Sequence, residues 1–328
     1  MENLFEYKDS FTPLKSVESI PIFVNSLQGC KYTIAIPTFN RPHDLKLALD
    51  SAVGQDFQGS YNIIVVDNNP ERNDETETLM MGLREVKNIS YYKNSSNVGM
   101  IDNWNKLFLL SESEYVVMLH DDDVLFSNFL SVMNRVAAMT PNLAAINAEK
   151  LFWDGNMTHN LKKKLSCKSI RGYRYSKYSN YAYFHFGAPS GCLFNKKQVL
   201  ELGGFDNAAY PSSDYVFVQK LCMSKGLVLK SKTPLMLYRV TQNTTSQLQT
   251  KQAWLDIDYR IKEELAEKLH IPSCIKDLIE YFEIKLRLRG IAKVIPNYSY
   301  KKWSPGGNLF LVFFKVYRYI IKTYIELF

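Results

Sequence analysis

The sequence predicts an α/β fold: a mostly parallel sheet flanked by helices, with a helical C-terminal extension. Two observations carry that reading. Between residues 31 and 125, short apolar segments rich in branched residues alternate four times with stretches of helical spacing, the rhythm that joins parallel strands across the faces of one sheet. Beyond residue 250 the alternation gives way to long stretches with apolar residues three and four apart, the period of helices. A chain of 328 residues that is 46% hydrophobic can bury the core such a sheet needs, as one large domain or two smaller ones.

Taken in order, YTIAIPTF (32–39) reads as a strand stopped at a proline, and RPHDLKLALDSAVGQ as the helix after it. YNIIVVDNN (61–69) is a branched, apolar strand ending in Asp67, Asn68 and Asn69, with a polar loop and a helix over 75–86 behind it. ISYYKN is a short strand, NVGMIDNWNKLFLLS opens a helix after a glycine, and YVVMLHDDD closes the fourth unit. In the second half, APSGCLFNKKQVLELGGFD reads as strand, short helix and glycine turn, and PSSDYVFVQKLCMSKG begins a helix that Ser212 or Ser213 would cap. LMLYRVTQNTTS (235–246) is a closing strand and loop, followed by the helices AWLDIDYRIKEELAEKL and IKDLIEYFEIKLRLRGIAKVI.

Cys30, Cys167, Cys192, Cys222 and Cys274 are odd in number, widely spaced and without a CxxC pair. That pattern argues against a disulfide framework or a zinc site and predicts a reduced, cytosolic setting. MENLFEYKDSF holds no apolar stretch suited to a signal peptide, and no segment reaches the roughly 18 apolar residues of a transmembrane helix, so an integral membrane protein is not expected. The net charge of +7 is unevenly placed: residues 270–328 hold ten Lys/Arg against four Asp/Glu, and residues 161–177 hold seven basic residues and no acidic one. The rest of the chain is net acidic. Basic residues interleaved with tyrosines lack any helix-turn-helix, zinc-finger or RNP signature, which excludes nucleic acid as a partner. An anionic lipid surface or a phosphate-bearing substrate accounts for the charge better.

The chemistry gathers at strand ends: Thr38, Asn40 and Arg41 after the first strand, Asp67 after the second, and Asp121, Asp122 and Asp123 after the fourth. Ligands of open α/β sheets bind beyond the carboxyl ends of the strands. Three adjacent carboxylates repel one another and are costly to desolvate, so they need either full exposure in a solvated turn or a cation. Lining one crevice, these residues would offer a carboxylate to a base or ribose, an arginine to phosphate, and clustered carboxylates to a hard cation. Magnesium or manganese prefers oxygen ligands and holds a diphosphate through one or two carboxylates.

The order PTFNR, VVDNN, NVGMIDNWN, LHDDDVL, then GGFD with SSDYVFVQKLCMSKG, resembles the family-two inverting glycosyltransferases over about residues 31–245. The resemblance implies the GT-A fold and transfer of a sugar from a nucleotide diphosphate sugar, UDP on family grounds, to an acceptor hydroxyl, with Mn2+ or Mg2+ held by a DxD-like motif. Residue by residue, it implies that Pro37, Thr38, Asn40 and Arg41 border the nucleotide, that Asp67 hydrogen-bonds the base, and that Asn97, Gly99 and Asn103 shape the nucleotide wall. Read as local chemistry alone, such Asn and Asp residues make strand-end turns. Within the triplet the register stays open, because the longer family form puts His120 where the first aspartate stands and the shorter one aligns Asp121 with the ribose. Both place Asp122 on the metal. Asp123 either orients the loop or supplies the other metal contact, and His120 reads as a satisfied polar residue rather than a ligand.

Asp214 stands where the family has its catalytic aspartate, the base that takes the acceptor proton; its local reading is a first-turn acid favoured by the helix dipole. Ser213 replaces the glutamate that often precedes that base. Arg239 implies a phosphate contact or, equally, a structural ion pair, and Thr241 stands in place of a histidine near the phosphates.

After a WSPGG break, NLFLVFFKVYRYIIKTYIELF spaces Lys315, Arg318 and Lys322 at about a helical turn. It reads either as a core-packing helix or as an interfacial helix on anionic lipid. The second fits a lipid-diphosphate-linked acceptor in bacterial surface-polysaccharide assembly (O-antigen or capsule), with the protein peripheral at the inner face of the cell membrane. The expected organisation is an N-terminal extension (1–30), a glycosyltransferase domain (31–250) with a nucleotide half (31–125) and an acceptor half (126–250), and a helical, basic region (251–328). Residues 161–186 form an acceptor-side loop or an ordinary solvated one. A sugar nucleotidyltransferase would carry a glycine-rich basic loop where PTFNRPHD stands, and a non-catalytic nucleotide-sugar or glycan-binding protein would not need both DDD and Asp214.

Overall fold

Unbroken apolar runs, rather than alternation, mark strands covered on both faces, and the first half of the chain follows that rule. After the edge strand β1 (Ser19–Phe23), β2 (Tyr32–Thr38), β3 (Tyr61–Asp67) and β5 (Tyr115–Met118) have every residue buried, and β4 (Ile89–Asn94) all but one. One face is covered by α1 (Pro42–Val53), α2 (Glu75–Met81) and α4 (Phe129–Met139), which insert Leu45, Leu49, Met80, Phe129 and Met133 into one core. The other is covered by α3 (Met100–Leu110), α5 (Lys196–Glu201) and α6 (Ser213–Met223), through Trp104, Phe108, Val199, Phe217 and Leu221. The helix expected over 75–86 stops at Met81, before Gly82.

The computed structural model describes residues 3–153, 172–178, 181, 187–240, 248–292, 313–317 and 319. Among these the sheet adds β6 (Val124–Leu125), β7 (Leu143–Trp153), β8 (Gly172–Tyr175), β9 (Cys192–Asn195) and β10 (Leu227–Arg239), in the order β1-β4-β3-β2-β5-β9-β7-β10-β6, with β8 on β10. β2, β3, β4 and β5 are mutually parallel, as the sequence predicts, and β7 is parallel to β10. The whole is nevertheless mixed, because β9 runs antiparallel between β5 and β7 while β1, β6 and β8 join antiparallel.

Register aligns the strand ends. Thr38 pairs with Asp67 and Asp67 with Lys93, while Ala35 pairs with Met118. The residues after Met118 therefore run on beside the end of β2, where the Leu119 N–H donates to the Ala35 carbonyl at 3.0 Å.

Residues near the N-terminus are built into the fold. Phe11 is buried among α3 and α6, and Leu4 and Phe5 are buried against the helices α7 (Leu248–Lys268) and α8 (Ser273–Ala292). Gly203 has φ +83°, and a Cβ there would lie 1.9 Å from the Lys8 carbonyl oxygen, so only glycine permits this close approach. Tyr317 stacks on Phe282 of α8 with centroids 4.4 Å apart. No helix among the described residues is long and apolar enough to cross a membrane. Cys167, Thr241, Arg318, Lys322 and most of 161–186 lie outside the described residues.

Candidate active site

The aspartate triplet is buried, not a solvated turn: Asp121, Asp122 and Asp123 are 6%, 8% and 0% exposed. Asp121 accepts from Thr38 Oγ1 at 2.8 Å and from Arg41 Nη1 at 3.3 Å, and Arg41 Nη1 also reaches Asp122 at 3.4 Å. Burial, opposed by Arg41, pushes the Asp121 carboxyl up to about 6. Asp123 accepts the Arg239 backbone N–H on Oδ1 at 3.0 Å, and its Oδ2 has no partner among the described residues. Burial and the neighbouring Asp122 push Asp123 up to about 7, and burial raises Asp122 as well.

His120 joins this cluster. Its ring stacks on Trp104 at 5.2 Å, its backbone N–H donates to Ser190 Oγ at 3.0 Å, and its buried Nε2 has no partner. Burial lowers its pKa to about 3, so the imidazole is neutral and keeps a lone pair. The sequence reading of a satisfied polar histidine is thus not what the geometry presents. Ligand atoms of His120, Asp122 and Asp123 lie within 4.8 Å of one another. Two orphaned buried acceptors beside carboxylates whose ionisation is penalised are what a divalent cation would relieve, so this donor set fits one.

The residues expected to shape the nucleotide wall are joined in an amide network. Asn68 donates to Asn97 Oδ1 at 2.8 Å and accepts from Asn94, which in turn donates to Asn103 Oδ1 at 2.9 Å. Asn97 accepts the Gly99 N–H at the start of α3, and Gly99 has φ +82°. Asn69 links Asn40, itself at φ 53°, to Asp74. Pro37 is buried within β2 opposite Val66. The expected hydrogen bond from Asp67 to a base is not presented here. Its carboxylate is 0% exposed and accepts from Tyr91 Oη at 2.8 Å, Lys93 Nζ at 3.0 Å and the Asn69 N–H at 2.9 Å. Lys93 also binds Asp74 at 2.8 Å.

Asp214 lies in the first turn of α6, half-buried, with Oδ1 accepting the Tyr215 N–H at 2.8 Å. Burial pushes its carboxyl up to about 6, and the negative charge of Asp258 adds to the rise. The serines do not cap this helix. Ser212 holds the cap position but donates to Asp258 Oδ1 at 2.8 Å, and Ser213 donates to the Asp206 carbonyl at 2.7 Å. Asp258 is paired with Arg287 at 2.7 Å, which ties α6 to α7 and α8.

Lys150 on β7 is within electrostatic reach of both Asp123 and Asp214, and burial lowers it to about 8. Tyr238 on β10 senses Asp122, Asp123 and Asp214 together. The carboxylate cluster and Asp214 thus share Lys150 and Tyr238 as electrostatic neighbours. Of the two readings of Arg239, the geometry gives the ion pair, with Asp44, and the guanidinium lies 4.9 Å over Trp153. Lys150 is missing from the sequence reading, although a lysine and an asparagine inside the apolar run AAINAEKLFW are polar residues a strand buries only with a purpose.

A large central sheet flanked by helices, parallel through β2–β5 and with a buried carboxylate cluster after β5, is the GT-A fold of the glycosyltransferases. The chain belongs to glycosyl transferase family 2, whose family model matches residues 33–202. It is 34% identical over 109 residues to a Campylobacter jejuni GalNAc(5)-diNAcBac-PP-undecaprenol beta-1,3-glucosyltransferase, a match covering 33% of this chain and 34% of that protein, so it spans about a third of that relative. An uncharacterized glycosyltransferase of Methanocaldococcus jannaschii is 22% identical, covering 82% of this chain and 94% of that one. Among solved structures, S. aureus TarS 1-349 in complex with UDP-GlcNAc shares the fold at TM-score 0.55 and 13% identity, over 81% of this chain and 82% of that one. The mannosyltransferase PcManGT from Pyrobaculum calidifontis, in complex with GDP-Man and Mn2+, does so at TM-score 0.55 and 13% identity, over 94% and 87%.

Proposed function

We propose that this chain is a metal-dependent inverting glycosyltransferase that moves a sugar from a UDP-sugar to a hydroxyl of a lipid-diphosphate-linked glycan. The observation that carries the reading is the convergence of the His120, Asp122 and Asp123 cluster with Asp214 on the region reached by Lys150 and Tyr238. Bound at that cluster, a divalent cation neutralises charge on the leaving diphosphate. An imidazole among the ligands favours Mn2+ over Mg2+, which prefers oxygen alone. Asp214 takes the acceptor hydroxyl proton on the oxygen that Tyr215 leaves free, as that hydroxyl attacks the anomeric carbon opposite the diphosphate. Thr38 and Arg41 fix Asp121 toward the ribose, and the Asn40, Asn97, Gly99 and Asn103 wall receives the base. Asp67 acts on that wall from beneath by fixing the Asn69 turn, and Arg239 braces Asp123 through its backbone.

The UDP preference rests on the family resemblance, and GDP is the competitor, because the UDP-GlcNAc-bound and GDP-Man-bound neighbours resemble this chain equally. The lipid-linked acceptor is supported by the Campylobacter relative. Peripheral attachment to the inner face of the cell membrane is supported by an exposed apolar row, Ile275, Leu278, Tyr281, Phe313, Val316 and Tyr319, on the basic C-terminal helices. The test is nucleotide release from a panel of sugar nucleotides with Mn2+, Mg2+ or chelator, using wild type, Asp122→Ala and Asp214→Asn, read alongside thermal shift. Metal-dependent release from one donor, lost in both variants, supports the reading. No release and no stabilisation by any donor sinks it.

A further inference from the structure

A serine at the cap of a helix ordinarily accepts the backbone N–H two or three residues on, which at the start of α6 are those of Asp214 and Tyr215. Ser212 makes no such bond. Buried at 3% exposure, it donates its hydroxyl instead to Oδ1 of Asp258 on α7, at 2.8 Å. Asp258 is itself 5% exposed, and its Oδ2 meets Nε of Arg287 on α8 at 2.7 Å. The Tyr215 N–H is thereby left to Asp214, whose Oδ1 accepts it at 2.8 Å. Apolar packing holds the same junction, with Val216 of α6 buried in one cluster with Ile257 and Ile261 of α7.

A hydroxyl and a carboxylate thus compete for one helix-terminal N–H, and a residue of the C-terminal helices decides which takes it. We propose that Asp258 is a positioning residue for Asp214: by holding the Ser212 hydroxyl, it assigns the Tyr215 N–H to one Asp214 oxygen and leaves the other for the acceptor hydroxyl. The inference rests on the reading of Asp214 as the base. Asp258 is answered by Arg287 of α8 and Lys262 of its own helix, with Ser212 and Tyr215 facing it from α6. Asp214 is faced by Lys150 of β7, Tyr238 of β10 and Asp258 itself. Asp258 therefore acts on Asp214 with two opposite signs. Its charge makes ionisation harder, while the N–H it secures makes ionisation easier.

The test is an NMR titration of the Asp214 carboxyl carbon, assigned by its loss in Asp214→Asn, in wild type, Asp258→Asn, Asp258→Ala, and Asp258→Ala combined with Ser212→Ala. Asp258→Asn keeps a hydrogen-bond partner for Ser212 and removes the charge, so the Asp214 midpoint should fall by about half a pH unit. Asp258→Ala frees the hydroxyl to take the Tyr215 N–H, so its midpoint should stand above that of Asp258→Asn. Adding Ser212→Ala should return it to the Asp258→Asn value. A midpoint that Ser212→Ala does not move in the Asp258→Ala protein overturns the proposal, as does one midpoint common to all four proteins. Because the titration needs no donor, it decides the positioning by itself. Turnover separates this inference from the transferase reading. In nucleotide release from UDP-GlcNAc or GDP-mannose with Mn2+, Asp258→Ala should lose about 10-fold in kcat and regain it with Ser212→Ala, while UDP and GDP affinities hold. Release that survives Asp214→Asn overturns the reading of the base. Release lost in Asp214→Asn but equal in wild type and Asp258→Ala overturns the positioning role alone. Melting temperature checks the fold of each variant, and Asp258→Asn, which keeps the buried space filled, guards against a misfolded Asp258→Ala.

Discussion

At the scale of single residues, the roles proposed for Asp214 and for the carboxylate cluster both call for ionised carboxylates whose ionisation burial opposes. Asp214→Asn keeps the shape of the first turn and removes the base, so turnover should fall by about 100-fold or more while nucleotide affinity holds; single-turnover rates and nucleotide titration check this. As the proposed base, Asp214 would work only when ionised. With its carboxyl raised to about 6 by burial, kcat/KM should climb with pH through about 6 and level above it. Asp258→Asn removes a negative charge that helps hold that value up, so the acid limb of the pH-rate profile should move to lower pH. At the cluster the sign concerns stability. Asp121 and Asp123 have folded values of about 6 and about 7 against about 4 unfolded, so their contribution is fully present below about pH 4 and is lost as pH rises through about 7. A cation binds the ionised form. The rise in melting temperature caused by Mn2+ should therefore grow between about pH 5 and pH 7.5 and vanish in Asp122→Ala, as scanning calorimetry would show. The carboxylates were legible in the sequence because like charges in a row are conspicuous. Lys150 and the unpartnered nitrogen of His120 were not, since their meaning depends on strands that pair only in three dimensions.

At the scale of elements, the end of β3 is held by a buried cation. Lys93, 1% exposed, serves Asp67 and Asp74 and lies 3.9 Å from Glu77, and so binds β4 to β3 and α2. Lys93→Met fills the space but leaves buried carboxylates unanswered, and should cost about 3–5 kcal/mol, measured by urea unfolding. The strands themselves were readable, because β2, β3 and β5 are buried on both faces and show it as continuous apolar runs. Direction was not. CLFN has the same composition whether parallel or antiparallel, and β9 runs antiparallel to both its neighbours, β5 and β7. Caps were half readable: Ser212 is where a cap belongs, but a buried Asp258 on a helix starting at Leu248 competes for its hydroxyl.

At the scale of the whole molecule, the helical region carries exposed apolar side chains on α8 and over 313–319. If the apolar row on α8 and 313–319 meets lipid, wild type should sediment with anionic vesicles at about 0.15 M salt, and replacing Ile275, Leu278 and Tyr281 together by serine should release most of it without altering nucleotide affinity. Vesicle binding equal in the two proteins would remove that surface from consideration. The helical extension was legible from its period, whereas its wiring to α6 through Asp258 and Arg287 joins residues too far apart for any local pattern to reveal. The brace on Asp123 is as distant: the N–H it accepts belongs to Arg239, 116 positions later. If the triplet holds a divalent cation as proposed, a chain synthesised only as far as β9 has its aspartates unbraced, and the site is completed with the last strand. Stalled nascent chains ending before and after residue 239 should differ in Mn2+ affinity, which would make metal loading a late checkpoint of translation rather than an early one.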